Sequence, residues 1–285
     1  MREPTSYPTG VPCWTDTAQP DPQAAADFYG GLFGWDFEQH HPSAATRPYL
    51  VATMEGAPVA AITAADGASD APQWTTYVRV DAVDDAVAAI TDAGGHILLG
   101  PVDHGDAGRR AVCADAGGAA FGVVQSSGPL VAQRVNESGT WNFSELVTPE
   151  RQQAIDFYRR VFGWEADQVD FGTGGDNWMW RRPGYSDVLE QHQPGVRKRH
   201  ADFGAPPGFT DAVAWLSPPN AEQSAGAAPQ WHITFAVADA DAIAARAEEL
   251  GGAVLMPPTE LGMVRSAVLR DPQGATFTAS KFDPS

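Results

Sequence analysis

Apolar positions along the chain switch repeatedly between strand-like and helix-like runs, and the same succession occurs four times. Residues 12–17 read as a short strand. The turn Gln19-Pro20-Asp21-Pro22 follows, with Asp21 suited to cap a helix and Pro22 to its first turn. The pattern predicts a helix over 22–33, in which Phe28 and Tyr29 open an apolar face that Phe33 closes. Gly34 ends it where positive φ is wanted. Strand-like pieces near 35–39, 49–54 and 59–63 complete the unit.

A second unit opens at 72–80, continues as a helix over 84–93 closed by Gly94-Gly95, and ends in strands near 96–100, 109–114 and 120–125. The pattern then restarts. Thr140 begins a strand, 149–162 reads as a helix, Trp164 opens the next strand, and further strand signals fall at 177–180 and 208–217. A fourth unit starts at 229–237, with its helix over 241–250 closed by Gly251-Gly252.

The repeat is explicit in the residues. Phe28-Tyr29-Gly30-Gly31-Leu32-Phe33-Gly34-Trp35 returns as Phe157-Tyr158-Arg159-Arg160-Val161-Phe162-Gly163-Trp164, and Asp115 to Phe121 is answered by Asp271-Pro272-Gln273-Gly274-Ala275-Thr276-Phe277. The chain is therefore four β-α-β-β-β units in an A-B-A′-B′ order. A first domain is expected over 10–126 (units about 12–64 and 72–125), a linker over 127–139, and a second domain over 140–283 (units about 140–218 and 229–282).

Composition changes this picture little. The apolar fraction of 43% supports full cores, and the net charge of −18 disfavours nucleic acid and anionic membranes. Cys13 and Cys113, the two cysteines, cannot build a disulfide framework or a thiolate zinc site. With no signal peptide and no run of about 18 apolar residues visible, a cytoplasmic protein is expected. Fused domains make a monomer plausible, with a homodimer as the alternative.

Tandem units with F-Y-x-x-(V/L)-F-G-W on the first helix, paired glycines after each even helix and a D-P-x-G-A-x-F turn resemble the vicinal-oxygen-chelate superfamily, which includes glyoxalase I, bleomycin-resistance proteins and extradiol dioxygenases. The resemblance covers nearly the whole chain. It implies an α+β fold of two tandem domains, each a curled eight-stranded mixed sheet with helices outside. Family enzymes hold a divalent metal with His, Gln or Glu on the first and last strands of the units. Those positions fall here on Trp14, Thr75, Gly122, Phe143, His232 and Thr278, so His232 alone matches. A lone histidine is ordinarily a hydrogen-bonded pocket residue. The expectation is no metal and no cofactor.

If each sheet curls into a cup, alternate residues face inward. Trp14 then goes with Asp16, Thr75 with Tyr77, Phe143 with Glu145 and His232 with Thr234. Trp178 and Trp180 share a strand face, and they and Trp215 are pocket candidates among the nine tryptophans. Trp35, Trp74, Trp164 and Trp231 stand at repeated positions and read as core. Asp16 and Glu145 either serve a ligand, face water or pair with arginine. Arg109, Arg110, Met263 and Arg265 sit at equivalent loop-to-strand points, where the arginines either reach a cup rim or cap an edge. Residues 188–207, with Arg197-Lys198-Arg199-His200, have no counterpart in the first domain and read as a lid, an interface or a solvated loop.

The reading these residues favour is a metal-free binding protein with no catalytic residue assigned. Its partner is a small aromatic organic molecule, cationic or not, sequestered or presented in one or both cups: an anthracycline- or bleomycin-like antibiotic or a biosynthetic intermediate. The ligand-contact candidates are Trp14, Asp16, Thr75, Tyr77, Phe143, Glu145, Trp178, Trp180, Trp215, His232, Thr234, Met263, Arg265 and Thr278. Two alternatives stay open: a metal-dependent lyase, isomerase or dioxygenase, and a metal-independent enzyme using His232 or Glu145 as a base.

Overall fold

The structure, a computed structural model, describes residues 7–40, 49–65, 72–103, 108–126, 131–169, 176–219 and 228–283. His41, His104, residues 172–175 and residues 127–130 at the start of the expected linker lie outside them. The first sheet is built from β1 (Pro12–Gln19), β2 (Asp36–His40), β3 (Tyr49–Met54), β4 (Ala57–Ala64), β5 (Trp74–Arg79), β6 (His96–Asp103), β7 (Arg109–Ala114) and β8 (Ala120–Gln125), in the order β2-β3-β4-β1-β5-β8-β7-β6. The second repeats the order as β10-β11-β12-β9-β13-β16-β15-β14, with β9 (Thr140–Val147), β10 (Glu165–Val169), β11 (Asn177–Arg181), β12 (Ala212–Ser217), β13 (Gln230–Ala236), β14 (Ala253–Leu261), β15 (Val264–Arg270) and β16 (Thr276–Phe282). Within each sheet the units join through one antiparallel pair, β1 with β5 and β9 with β13, beside parallel pairs such as β5 with β8 and β13 with β16.

Among the described residues six α-helices lie outside the sheets: α1 (Pro22–Phe33), α2 (Val83–Asp92), α3 (Arg151–Phe162), α4 (Tyr185–His192), α5 (Val196–Asp202) and α6 (Ala240–Glu249). The Asp21 carboxylate accepts from the Gln23 and Ala24 N–H groups, and Gly34 and Gly163 end α1 and α3 at φ 74° and 70°. No helix among the described residues is long and apolar enough to cross a membrane.

The repeated aromatic motif does more than fill a core, because it welds the two domains. α1 of the first domain packs beside α6 of the second, and α3 beside α2. Phe33 lies 5.0 Å from Phe235, and Tyr29 5.8 Å from Phe277 (ring centroids). The Tyr29 hydroxyl donates to Asp271 across the interface (2.9 Å) and accepts from the Trp74 indole (3.0 Å). The second copy does the same in reverse: Tyr158 donates to Asp115 (3.0 Å) and accepts from Trp231 (2.8 Å). The other oxygen of each aspartate accepts backbone N–H groups of its own turn, such as those of Ala119 and Ala275. The paired glycines gain a reason here as well. A Cβ on Gly95 would stand 2.5 Å from the Ala114 carbonyl oxygen and 3.0 Å from Phe157, and one on Gly252 2.7 Å from the Arg270 carbonyl oxygen.

Tyr158→Phe leaves one oxygen of the buried Asp115 carboxyl without its tyrosine donor and the Trp231 N–H without its acceptor. It is expected to lower stability by about 1–3 kcal/mol, read as the shift of the urea midpoint.

Candidate functional site

Alternation along β1 divides its residues between two environments. Thr15, Thr17 and Gln19 turn toward the other domain, where Gln19 donates to Asp271 (2.8 Å). Trp14 and Asp16 turn into the first cup, as the sequence suggests, but no ligand-sized opening meets them. Trp14, Asp16, Tyr49, Tyr77 and Arg110 are all buried there. The Trp14 indole donates to the Tyr49 hydroxyl (2.9 Å), which donates to Asp16 (3.2 Å). The Arg110 guanidinium pairs with Asp16, donates to Tyr49 (3.0 Å) and lies 4.6 Å from the Tyr49 ring centroid and 5.6 Å from that of Tyr77. Burial pushes the Asp16 carboxyl up, against the pull of Arg110 and of the Tyr77 and Tyr49 hydroxyls. The Tyr77 ring lies flat on Gly122, where an added Cβ would stand 2.1 Å from it.

The carboxylate-and-aromatic constellation expected to receive a cation therefore does hold one, and it is the protein's own Arg110. Trp14, Asp16 and Tyr77 form a closed internal plug rather than a ligand surface. Thr75 lies half-buried at its side, opposite Asp16 in the strand register, and its carbonyl accepts from Thr15.

The second cup carries the same positions with different sizes. Across the repeat, Tyr77 becomes Thr234, Arg110 becomes Ser266, Gly122 becomes Thr278 and Ala61 becomes Trp215. The two bulky groups that close the first cup are thus replaced by small ones. Phe143, Glu145, Trp215, His232, Thr234 and Thr278 are all partly accessible. Glu145 is the register partner of His232 on one side and of Trp215 on the other, so the three side chains share the inner face. Ser217 donates to one Glu145 oxygen. Burial pushes the Glu145 carboxyl up, with Ser217 opposing, and pushes the His232 imidazole down, so that both groups are biased toward their neutral forms. His232 makes no hydrogen bond among the described residues, unlike the satisfied pocket histidine that the sequence suggests.

A lid covers this cup. Residues 185–211, which contain the 188–207 insertion, fold into α4, α5 and a 3-10 turn (Phe209–Asp211). Its corner is held by Glu190, which accepts from the Gly195 N–H (2.6 Å), and by Asp211, which accepts from the Ser186 N–H (2.6 Å). Phe209 thereby stands 6.3 Å from Phe143 and 6.4 Å from Trp215. Phe203 lies 6.0 Å from Phe209 and 5.6 Å from Phe282 on β16. His200 packs on Phe209 at 5.1 Å, and its Nδ1 shares a hydrogen bond with Thr210. The basic run on α5 faces outward, with Arg197 paired to Asp187 and Lys198 to Asp202.

Four sequence candidates do not line a cup. Trp178 and Trp180 share a face, but it is the helix-bearing one. Trp180 is fully buried against Tyr158 and Trp164, and Trp178 lies under Arg151 of α3. Arg265 is committed to Asp241 of α6 and to Glu260. Met263 sits in the turn between β14 and β15, where its carbonyl accepts from Asp283 (2.9 Å). The sequence reading also passed over Tyr49, Phe203 and Phe209. Phe203 within the unmatched insertion, with Phe209 two residues past its end, was the available sign of a lid.

The divalent-metal centre typical of such folds needs a set of His, Glu or Gln donors that this cup does not offer. Glu145 and His232 face it with Phe143 and Thr278 at the remaining positions, and among the described residues no three His, Cys, Asp or Glu side chains come together.

Paired curled sheets of βαβββ units, one cup filled by its own side chains and one partly accessible, define a tandem vicinal-oxygen-chelate protein. The chain belongs to the Glyoxalase/Bleomycin resistance protein/Dioxygenase superfamily, whose pattern matches residues 14–123 and 142–278. It is 35% identical over 291 residues to CFP32 of Mycobacterium tuberculosis (strain CDC 1551 / Oshkosh), covering 100% of this chain and 99% of that protein. It is 32% identical over 290 residues to the anthracycline biosynthesis protein DnrV of Streptomyces peucetius, covering 96% and 94%. Its fold matches the Mn(II)-bound glyoxalase from Novosphingobium aromaticivorans, with a TM-score of 0.59 at 14% identity, covering 96% of this chain and 82% of that one. It also matches the 2,3-dioxygenase LapB from Pseudomonas sp. KL28, with a TM-score of 0.60 at 11% identity, covering 96% and 93%.

Proposed function

We propose that the second cup binds a planar, polycyclic aromatic molecule bearing hydroxyl or carbonyl groups, and that it does so without a metal. The observation that carries this reading is the contrast between the cups. One is closed by its own salt bridge and tyrosines. The other presents Phe143, Trp215 and Phe209 around a floor of Glu145, His232, Thr234 and Thr278. Aromatic walls with a few fixed polar groups suit flat organic ligands. A carboxyl biased toward its neutral form favours an oxygen-rich neutral edge over a cation at that depth. The kinship with an anthracycline biosynthesis protein supports a polyketide-like ligand, either an antibiotic or its biosynthetic intermediate.

Tryptophan emission tests the proposal. An anthracyclinone is expected to quench it at micromolar concentration, and Trp215→Phe is expected to remove a large share of the quench. Phe143→Ala should weaken binding by about tenfold, in line with about 1–2 kcal/mol for a lost aromatic contact. An unchanged emission spectrum, or a quench indifferent to both substitutions, would overturn it.

A further inference from the structure

Glu145 and His232 are more than contacts in an aromatic slot. They are direct register partners across the β9–β13 pair, so their Cβ atoms stand about 4.5–5.5 Å apart on one face. Their surroundings differ in a useful way. One Glu145 oxygen accepts from Ser217, and the other makes no hydrogen bond among the described residues. The His232 ring has no hydrogen-bond partner among the described residues and shares that face. The cup thus holds a carboxyl and an imidazole side by side, roofed by Phe209 and walled by Phe143 and Trp215. No equivalent pair exists in the first cup, where the same positions are Asp16, paired to Arg110, and Thr75.

We infer that the second cup is a metal-independent proton-transfer site, which enolises an aromatic ketone with Glu145 as proton donor and His232 as proton acceptor. This rests on the binding reading above and deepens it. The substrate class is a fused-ring ketone with a C–H bond next to its carbonyl. His232 takes the proton from that carbon, and the electron pair of the C–H bond becomes the C=C bond of the enol. The carbonyl π pair moves onto oxygen, which takes the proton of Glu145. The ketone leaves as its enol isomer with no co-reactant consumed. The resulting imidazolium and carboxylate lie side by side, and one proton passed from His232 to Glu145 restores the starting state. Each group must lie within hydrogen-bond reach of its atom in the bound complex, and neighbours on one face can serve two adjacent atoms of one ligand. Ser217 acts as a positioning residue by fixing which carboxyl oxygen faces the substrate.

The test uses the full chain and 2-tetralone, a bicyclic aromatic ketone. Deuterium uptake at its α-carbons is followed by NMR in D2O, and binding of the same compound by tryptophan quenching. Protein at a hundredth of the ketone concentration is expected to raise exchange at least tenfold over buffer. Glu145→Gln and His232→Gln should each return exchange to within twofold of buffer, even at ketone concentrations that saturate the quenching of each variant. That split separates proton transfer from a merely structural role, and an unchanged circular dichroism spectrum confirms that the variants fold. Exchange at the buffer rate with quenching intact would overturn the catalytic inference and leave the binding reading standing. Exchange at the buffer rate with no quenching would remove both. Catalysis that survives both substitutions would overturn the assignment of these two residues.

Discussion

Arg110→Ala is expected to destabilise the protein by about 3–5 kcal/mol, the range seen when one member of a buried ion pair is removed. The reason lies in what stays behind. Asp16 keeps two tyrosine hydroxyls and loses the one positive charge that faces it, while the Tyr49 and Tyr77 rings lose the guanidinium between them. Asp16→Asn alone is expected to be costly as well, because it leaves the guanidinium buried without a counter-ion. The double variant Asp16→Leu with Arg110→Met removes both charges at similar volume and should recover most of the loss, since apolar replacement of a buried pair is often neutral or stabilising. Urea midpoints of the unsubstituted protein, Asp16→Leu, Arg110→Met and the Leu–Met double variant form the double-mutant cycle. Additive single effects would show that the pair is not coupled and that something else closes the first cup.

Trp164→Ala is expected to lower stability by about 3–5 kcal/mol, as for other fully buried aromatic truncations. The indole stacks on Tyr158 at 5.2 Å, touches Phe162 and Trp180, and donates to the Gly10 carbonyl of the other domain (2.6 Å). Truncation empties the centre of an interdomain aromatic cluster and strips a hydrogen bond that ties the chain's start to its second half. Trp35→Ala should match it, because the Trp35 indole makes the mirror contact to Gly139 (2.7 Å) beside Tyr29 and Phe235. Trp178→Ala serves as the contrast. Its ring lies under Arg151 near the surface, so a loss of only about 0.5–1 kcal/mol is expected. Equal losses at Trp164 and Trp178 would contradict the placement of the weld.

The lid bears on both cups by its presence in one alone. Among the described residues the first domain has no segment like α4 and α5, and its cup is closed from within. The second opens its floor and roofs it with Phe203 and Phe209 on an inserted element. Two copies of one architecture thus cover a cup by different means, and among the described residues the second leaves the His232 ring without a hydrogen bond.

The fourfold repeat was legible because it rests on local chemistry. A carboxylate cap at Asp21, a glycine at positive φ after Phe33 and paired glycines under a helix end are demands of the backbone, and they recur wherever the unit recurs. Strand alternation likewise placed Phe143 with Glu145 and His232 with Thr234 on one inner face, because side chains along a strand point alternately to its two sides. What it could not supply was which face of β11 meets the helices, since Trp178 and Trp180 read the same either way. Nor could it show that Arg110 crosses to Asp16 from a strand 94 residues further along. Whether a cup is open depends on the summed size of side chains from five strands and on a lid from outside the repeat. That sum exists only after the sheet has curled, so the sequence by itself determined the scaffold and its inward-facing residues, while the tertiary structure alone decided which cup is filled by its own side chains and which stays partly accessible.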